Sequence, residues 1–179
     1  MQKRVLIISG SPRKNGNSQL LCERFQEGAK ASGHHVDLIQ IAERQIGFCR
    51  ACDGCMRNNG ICVLYDDMAE ILEIFQKADV LVLATPVYFY TMCCQMKIMI
   101  DRCCARYTEI SNKEFYFIIA AAENSKAMME RTIDGFRGFL DCLEAPQEKG
   151  VVYGVGAWKV GEIKDTPHMK EAYEMGKRI

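Results

Sequence analysis

The sequence predicts an α/β protein with a doubly wound, five-stranded parallel sheet and helices on both faces. Five short apolar runs are the first observation, because strands buried on both faces read as continuous apolar segments. Amphipathic segments separate these runs, and alternating strands and helices are typical of a parallel sheet. Polar loops follow the first and third runs, where a doubly wound sheet would bind a ligand beyond its C-terminal strand ends.

The first strand is predicted at residues 5–9. Leu21, Phe25 and Ala29 then recur every four positions, which predicts a helix that runs to about residue 31. The other strands are predicted at residues 36–41, 79–84, 115–121 and 151–155.

Further helices are predicted between the later strands. Asp67 and Glu70 form a pattern like a capping box, which marks the start of the second helix. Thr85-Pro86 is expected to end the third strand, because proline fixes its φ and has no N–H to donate. Apolar spacing predicts the remaining helices at about residues 92–103, 129–143 and from 166 onward.

The composition indicates a single soluble domain over residues 1–179, with a cysteine-rich insert at about residues 42–65. The 23 basic and 23 acidic residues cancel, which argues against nucleic acid or an anionic membrane as a partner. No apolar run approaches the roughly 20 residues of a membrane span, and the N-terminal run is too short for a signal peptide. We therefore expect a cytoplasmic protein whose ten cysteines are thiols or metal ligands rather than disulfides.

The polar stretch at residues 9–18 predicts an anion site, because hydroxyls and backbone N–H groups collect where a helix begins. Gly10 and Gly16 are six positions apart, and Asn17 stands where a Walker A loop has lysine, so that nucleotide motif is disfavoured. The spacing of a dinucleotide fingerprint is also absent. The alternative is a simple polar turn with Asn17 or Ser18 as a helix cap.

The loop after the third strand predicts a wall for a flat ligand. Pro86 turns the chain rigidly, and Val87, Tyr88 and Phe89 offer apolar and aromatic surface with free backbone N–H groups. The alternative is a plain strand end whose aromatic residues cover the core. Together with a phosphate loop one strand away, the wall favours a mononucleotide that carries a flat ring.

Three motifs resemble the NADPH-dependent FMN reductase family, which has a flavodoxin-like fold with strand order 2-1-3-4-5. They are G-S-P-R-x-x-G-N-S after the first strand, T-P-V-Y-F after the third, and M-x-I-x-I-D-R in the next helix. The resemblance covers nearly the whole chain and implies bound FMN. The implied cofactor-binding residues are Ser11, Arg13, Asn17 and Ser18 for the phosphate, Pro86, Val87, Tyr88 and Phe89 for the isoalloxazine, Ala122 and Glu123 in the loop after the fourth strand, and Ser9.

Four cysteines in the insert, Cys49, Cys52, Cys55 and Cys62, have the spacing C-x2-C-x2-C-x6-C. Four thiolates this close together can bind a [4Fe–4S] cluster, and the pattern is similar to the compact motif of iron–sulfur flavoproteins, a branch of the same superfamily. Zinc also takes four thiolates. A third alternative is that the cysteines shape a loop near the flavin or a subunit contact and hold no metal.

These observations predict an FMN-dependent oxidoreductase in which NAD(P)H reduces the flavin and electrons pass to a flavin, a quinone or another acceptor. Such hydride transfer needs no protein acid or base, and none is assigned. The alternative is an iron–sulfur flavoprotein that carries electrons from a ferredoxin-like donor without its own NAD(P)H activity. The resemblance implies a homodimer or homotetramer.

Several other residues receive structural predictions. Trp158 is expected in core or subunit packing. The remaining cysteines are also expected in the core or an interface, because cysteine behaves as a small buried hydrophobe. Asp101-Arg102 is expected to form a structural ion pair or a helix-to-loop contact.

Overall fold

The computed structural model, which describes residues 1–179, contains a central sheet and five α-helices. The strands are β1 (Arg4–Ser9), β2 (His35–Gln40), β3 (Val80–Tyr88), β4 (Thr91–Met92), β5 (Glu114–Ala120) and β6 (Gln147–Gly154). The helices are α1 (Asn17–Ala31), α2 (Met68–Lys77), α3 (Cys94–Arg102), α4 (Lys126–Leu140) and α5 (His168–Lys177). None of these helices combines the length and the apolar character that crossing a bilayer demands.

The five long strands are parallel and lie in the order β2-β1-β3-β5-β6, which confirms the predicted flavodoxin-like order. A sixth strand, the two-residue β4, was not predicted and pairs antiparallel with the end of β3. The prediction that Thr85-Pro86 ends the third strand was wrong. Pro86 lies inside β3 opposite Ala120, at the last position of the β3–β5 ladder, where a missing N–H costs little pairing.

The sheet is buried on both faces because its strands are continuously apolar. In β1, Leu6 and Ile8 join the core under α2, α3 and α4, whereas Val5 and Ile7 join the core under α1 and α5. The two-residue period of a strand therefore supplies both cores from one run.

Helices α1 and α5 pack with their backbones in direct contact. A Cβ atom on Gly28 would lie 2.0 Å from the carbonyl oxygen of Tyr173, and one on Gly176 would lie 2.1 Å from that of Phe25. Neither position has space for a side chain, so the two glycines fix how closely α5 approaches α1. This contact holds α1, whose N-terminus faces the candidate site.

Candidate functional site

A cleft of about 130 Å³ lies at the C-terminal ends of β1, β3 and β5. Its lining residues are Ser11, Arg13, Gly16, Asn17, Ser18, Pro86, Val87, Tyr88, Ala120, Ala121, Ala122, Ala157 and Trp158. The structure thus brings together seven of the sequence-predicted residues from the loops after β1 and β3, and it adds the predicted Ala122 from the loop after β5. It also adds Trp158, which had been expected in packing.

The first loop is folded tightly onto the N-terminus of α1. The Ser11 hydroxyl accepts a hydrogen bond from the Arg13 N–H at 3.2 Å. A Cβ atom on Gly16 would lie 2.6 Å from Ser11 Oγ and 2.9 Å from the Arg13 carbonyl oxygen. Only glycine fits there, and its N–H in turn donates to the Arg13 carbonyl at 3.0 Å.

The N-terminus of α1 is left open to an anion. No side chain caps this helix, so the first-turn N–H groups carry the partial positive charge of the helix end. Ser18 is only 1% exposed, and its Oγ has no hydrogen-bond partner. A buried hydroxyl without a partner is costly, and this one lines the cleft.

Arg13 adds a formal positive charge at the mouth of the cleft. It forms no ion pair with any carboxylate of the chain, and its Nη1 donates only a long hydrogen bond, 3.4 Å, to the Trp158 carbonyl oxygen. An unpaired guanidinium beside an open helix N-terminus gives the cleft the donor set that a phosphate group requires.

The Asn17 side chain forms hydrogen bonds with the segment that follows β6. Its Nδ2 donates to the carbonyl oxygens of Ala157 at 3.1 Å and Lys159 at 2.9 Å, and its Oδ1 accepts from the Ile163 N–H at 3.4 Å. The amide therefore ties the loop after β6 to α1. Only the backbone N–H of Asn17 remains for an anion.

Three predicted residues lie outside the cleft lining. Ser9 is fully buried at the end of β1, and its Oγ has no hydrogen-bond partner. Glu123 is engaged locally, because its carboxylate accepts the N–H groups of Asn124 and Ser125 at 2.8 and 3.0 Å. Phe89 is fully exposed at the tip of the β3–β4 hairpin. The structure does not bring these three side chains to the cleft.

The β3–β4 hairpin turns through two aromatic residues in the left-handed region. Phe89 has φ 49° and Tyr90 has φ 62°, so the two-residue loop has the backbone of a type I′ turn, which normally takes Asn-Gly. Bulky residues pay a strain cost in this conformation. The hairpin thereby presents aromatic surface next to the cleft at the expense of local stability.

Cys93 joins the two halves of the cleft. Its N–H donates to Thr85 Oγ1 at 3.0 Å, and its thiol donates to the Gly10 carbonyl oxygen at 3.0 Å. Gly10 N–H in turn donates to the carbonyl of Ala84 at 2.8 Å. The first loop and the end of β3 are therefore held in register by protein contacts alone.

Trp158 is the residue that sequence reasoning missed. It is 70% exposed and lines the cleft, so the core alternative of the prediction was wrong, whereas subunit packing stays a prediction. Its backbone N–H donates to Glu162 Oε2 at 2.7 Å, which holds the loop after β6 in place. The available signal was its position: it follows the last parallel strand and so lies at the same sheet edge as the first and third loops.

The cysteine insert has an irregular backbone. Beyond a short 3-10 turn at Ile41–Glu43, the segment up to α2 contains no helix or strand. Two hydrogen bonds join the start of this segment to its end. Asp67 Oδ2 accepts the Gln45 N–H at 2.8 Å, and Asp66 Oδ2 accepts the Gly47 N–H at 2.9 Å. Asp67 does not cap α2, because Asp66 Oδ1 accepts the Met68 N–H instead.

Arg102 makes a helix-to-loop contact of the kind predicted. Its Nη1 donates to the Gly47 carbonyl at 2.7 Å and to Asp66 Oδ2 at 2.6 Å, and its Nη2 donates to Asp66 Oδ1 at 2.9 Å. Burial acts to raise the pKa of the Asp66 carboxyl, but these bonds and the N–H groups of Gly47 and Met68 outweigh burial and lower that pKa.

The four motif cysteines line one small pocket, of about 40 Å³, together with Cys104 from the 3-10 turn that follows α3. Burial and the neighbouring thiols of Cys55 and Cys49 raise the pKa of Cys104. Cys104 is exposed rather than in the core, and it joins this pocket; a role in an interface stays a prediction. Five thiols therefore converge on one place.

These donors do not form a site for a single metal ion. No group of three or more His, Cys, Asp or Glu side chains is arranged to hold one metal ion. Zinc requires four sulfurs around one centre at about 2.3 Å. The thiolates of a [4Fe–4S] cluster bind different irons, and the four motif cysteines that line this pocket are the number of sulfur donors that such a cluster takes.

Comparison with known proteins gives a consistent picture. The family model described as NADPH-dependent FMN reductase matches residues 3–154. An iron–sulfur flavoprotein of Methanosarcina thermophila is 39% identical over 99 residues, which is 55% of this chain and 51% of that protein. The chain spans about half the length of the curated relatives of this kind that it matches.

A relative from Bacillus subtilis, provisionally named an NAD(P)H-dependent FMN-containing oxidoreductase, is 25% identical over 98% of this chain and 97% of its own. Among solved structures, an NAD(P)H:quinone oxidoreductase from Methanothermobacter marburgensis superposes with a TM-score of 0.76. It is 15% identical, and the match covers 99% of this chain and 96% of that one. This likeness establishes the flavodoxin-like fold.

Proposed function

The chain belongs to the NADPH-dependent FMN reductase family, and from that premise we propose that it is an FMN-dependent oxidoreductase. NAD(P)H reduces the bound FMN, and electrons then pass to a flavin, a quinone or another small acceptor. The proposal treats residues 1–179 as one FMN-binding domain with the cysteine-rich insert at about 42–65.

The observation that carries the proposal is the partnerless Ser18 hydroxyl at the open N-terminus of α1. In this proposal the phosphate accepts from Ser18 Oγ and from the first-turn N–H groups, while Arg13 supplies charge. The Ser11 side chain shapes the loop rather than binding the phosphate directly. Asn17 contributes its backbone N–H and positions Trp158 through the loop after β6.

The isoalloxazine would lie along the remaining lining of the cleft. Pro86, Val87 and Tyr88 line it at the end of β3, Ala122 lies just after β5, and Trp158 adds a second aromatic side chain to the lining. When bound, the flavin supplies the hydride and electron chemistry. The task of the protein is to hold the ring, exclude water from one face and leave the other face open to the nicotinamide.

The test is an anaerobic mixture of FMN-loaded protein with NADPH, followed at the flavin absorbance maximum. Prompt bleaching supports the proposal. No bleaching over minutes with either NADPH or NADH contradicts it. Free FMN at the same concentration controls for reduction in solution, and the Ser18→Ala variant with added FMN controls for reduction outside the cleft.

A second candidate function is favoured by the five converging thiols. In this reading the chain is an iron–sulfur flavoprotein that relays electrons from a ferredoxin-like donor, with Cys49, Cys52, Cys55 and Cys62 as ligands of a [4Fe–4S] cluster. Relatives that carry the name iron–sulfur flavoprotein support it. Iron and sulfide analysis of anaerobically prepared protein decides the point: about four irons per chain support a cluster, whereas zinc or neither metal contradicts it.

The Cys52→Ser variant separates the two sites. It is expected to lose the brown chromophore and to keep FMN, because no motif cysteine lines the FMN cleft. Loss of FMN along with the chromophore would show that the insert is part of the flavin pocket.

Cytoplasmic location and a homodimer or homotetramer complete the proposal. Large exposed apolar side chains support self-association: Phe89 on the hairpin is fully exposed, as is Tyr65 on the insert. Light scattering after gel filtration tests it, and a monomeric mass would contradict it.

A further inference from the structure

The peptide group that joins Gly10 to Ser11 has its two polar ends directed to opposite sides of the first loop. The chain contains no cis peptide bond, and in a trans peptide the C=O and the N–H lie in one plane and point in opposite directions. The Gly10 carbonyl oxygen accepts a hydrogen bond from the buried thiol of Cys93 at 3.0 Å. The Ser11 N–H is therefore directed away from Cys93.

The Ser11 N–H is a free donor at the cleft. It forms no hydrogen bond within the chain. Ser11 is only 4% exposed, and buried N–H groups without a partner are rare in folded proteins. Ser11 lines the cleft, whereas Gly10 and Cys93 are buried outside its lining. The unused N–H thus belongs to the cleft, as the partnerless hydroxyl of Ser18 does.

The thiol of Cys93 is the group that fixes the direction of this peptide. It is the only donor to the Gly10 carbonyl oxygen. A Cβ atom on residue 10 would lie 3.0 Å from Cys93 Sγ, so glycine permits the close approach. Glycine also permits the reversed peptide orientation. Without a donor behind it, the carbonyl is free to turn and present its negative end to an anion.

Cys93 is itself held in place from the end of β3. Its N–H donates to Thr85 Oγ1 at 3.0 Å, and Thr85 Oγ1 donates to the Pro86 carbonyl oxygen at 2.8 Å. Cys93 is the N-cap residue of α3, yet its side chain does not cap that helix. Burial raises the pKa of the Cys93 thiol. The thiol therefore keeps the proton that its hydrogen bond to Gly10 needs.

We propose that Cys93 is a positioning residue of the phosphate site, whose thiol holds the Gly10 carbonyl inward and so keeps the Ser11 N–H directed at the phosphate of FMN. The inference rests on the FMN site of the proposed function. The Ser11 hydroxyl accepts the Arg13 N–H and shapes the loop, whereas the N–H of the same residue meets the ligand. Hydrogen bonds to a charged acceptor are strong, so loss of this direction has a measurable effect.

The experiment compares the affinities for FMN and for riboflavin, which has no phosphate, by isothermal titration. Cys93→Ala removes the donor and is expected to weaken FMN binding about tenfold without changing riboflavin binding. Cys93→Ser keeps a donor at the same place and is expected to bind FMN within about twofold of the wild-type affinity. The matched control is Cys103→Ala, which removes another fully buried thiol, one that contacts Met99 and lies outside the cleft lining. This control should keep the wild-type ratio of the two affinities.

A second measurement needs no donorless variant. In heteronuclear NMR spectra of the wild-type protein and of Cys93→Ser, the Ser11 amide proton is expected to move downfield when FMN binds and to move little when riboflavin binds. If Cys93→Ala does not fold, this measurement decides. The movement with FMN alone in both proteins supports the inference, and its absence from either protein overturns it.

The outcomes separate this inference from the function on which it rests. Equal weakening of FMN and riboflavin binding in Cys93→Ala, unchanged FMN affinity in that variant, or no recovery in Cys93→Ser overturns the inference and leaves the FMN site standing. Wild-type protein that binds FMN no more tightly than riboflavin overturns the phosphate site itself, and the inference falls with it.

Discussion

Replacing Ser18 by Ala probes the phosphate site, because it removes one hydroxyl that is 1% exposed and has no partner in the ligand-free protein. A hydrogen bond to a charged group contributes about 1.5–3 kcal/mol. The dissociation constant for FMN should therefore rise about 10- to 140-fold. Riboflavin has the same ring and no phosphate, so its affinity should not change.

The same variant should make the ligand-free protein more stable. An unsatisfied buried hydroxyl costs about 1–3 kcal/mol, and alanine is the better helix former. A gain of about 1 kcal/mol corresponds to a rise of roughly 2–4 °C in Tm for a chain of this size. Weaker FMN binding together with a higher Tm without ligand identifies a hydroxyl whose role is binding. Removal of a hydroxyl with a purely structural role would instead lower both the FMN affinity and the Tm.

Ser9→Ala is the matched control. Ser9 is also fully buried and its Oγ is also partnerless, yet it lies outside the cleft lining. The Ser9→Ala variant should bind FMN with the wild-type affinity. Isothermal titration with FMN and riboflavin, plus thermal unfolding without ligand, measures all three proteins. If Ser18→Ala weakens the binding of FMN and of riboflavin equally, or leaves the FMN affinity unchanged, Ser18 does not bind the phosphate.

The remaining predictions concern the loops around the site. Gly16→Ala should weaken FMN binding at least about tenfold, because its Cβ would lie 2.6 Å from Ser11 Oγ and would open the loop; titration with unchanged affinity would contradict this. Folding lowers the pKa of the Asp66 carboxyl. The ionised carboxyl should therefore contribute its full stabilisation at pH values above the ordinary aspartate pKa of about 3.9, and this stabilisation should be lost as the pH falls through the lowered pKa of the folded protein. The free energies of unfolding of wild type and Asp66→Asn, measured with urea, should therefore approach each other as the pH falls. A difference that grew on acidification would show that the pKa of Asp66 is shifted in the opposite direction. Phe89→Asn with Tyr90→Gly should raise the unfolding free energy by about 1–2 kcal/mol by relieving left-handed strain. Since Phe89 lies outside the cleft lining, FMN affinity should be unaffected, and a large loss would place the hairpin against the flavin.

Local pattern was sufficient for most of the fold. The run at residues 5–9 is apolar at every interior position, so it could be read as a two-sided buried strand without knowing its neighbours. The glycine spacing of the first loop also carried local information, because Gly16 is required by contacts within that loop. These features depend on interactions between residues that are close in sequence.

The features that the sequence did not predict depend on contacts that join distant segments. Nothing near Asn17 in sequence indicates that its amide is used by Ala157 and Lys159. The position of Pro86 inside β3 was not predicted. A proline is tolerated at the last pair of residues between two strands, and where that last pair falls depends on the length of the partner strand β5. Trp158 was expected in core or subunit packing, and its place after the last parallel strand also makes it a cleft residue.

The burial of Cys93 has a further consequence for how the thiols of this protein can be used. Cys22, Cys93 and Cys103 are all buried, and burial raises the pKa of each, that of Cys103 to about 12. Reaction with an alkylating reagent requires thiolate and access, so these three should stay unmodified until the molecule opens. Timed labelling read by mass spectrometry would then report opening at three native positions, one of them the junction between the two loops of the cleft, without introducing any probe.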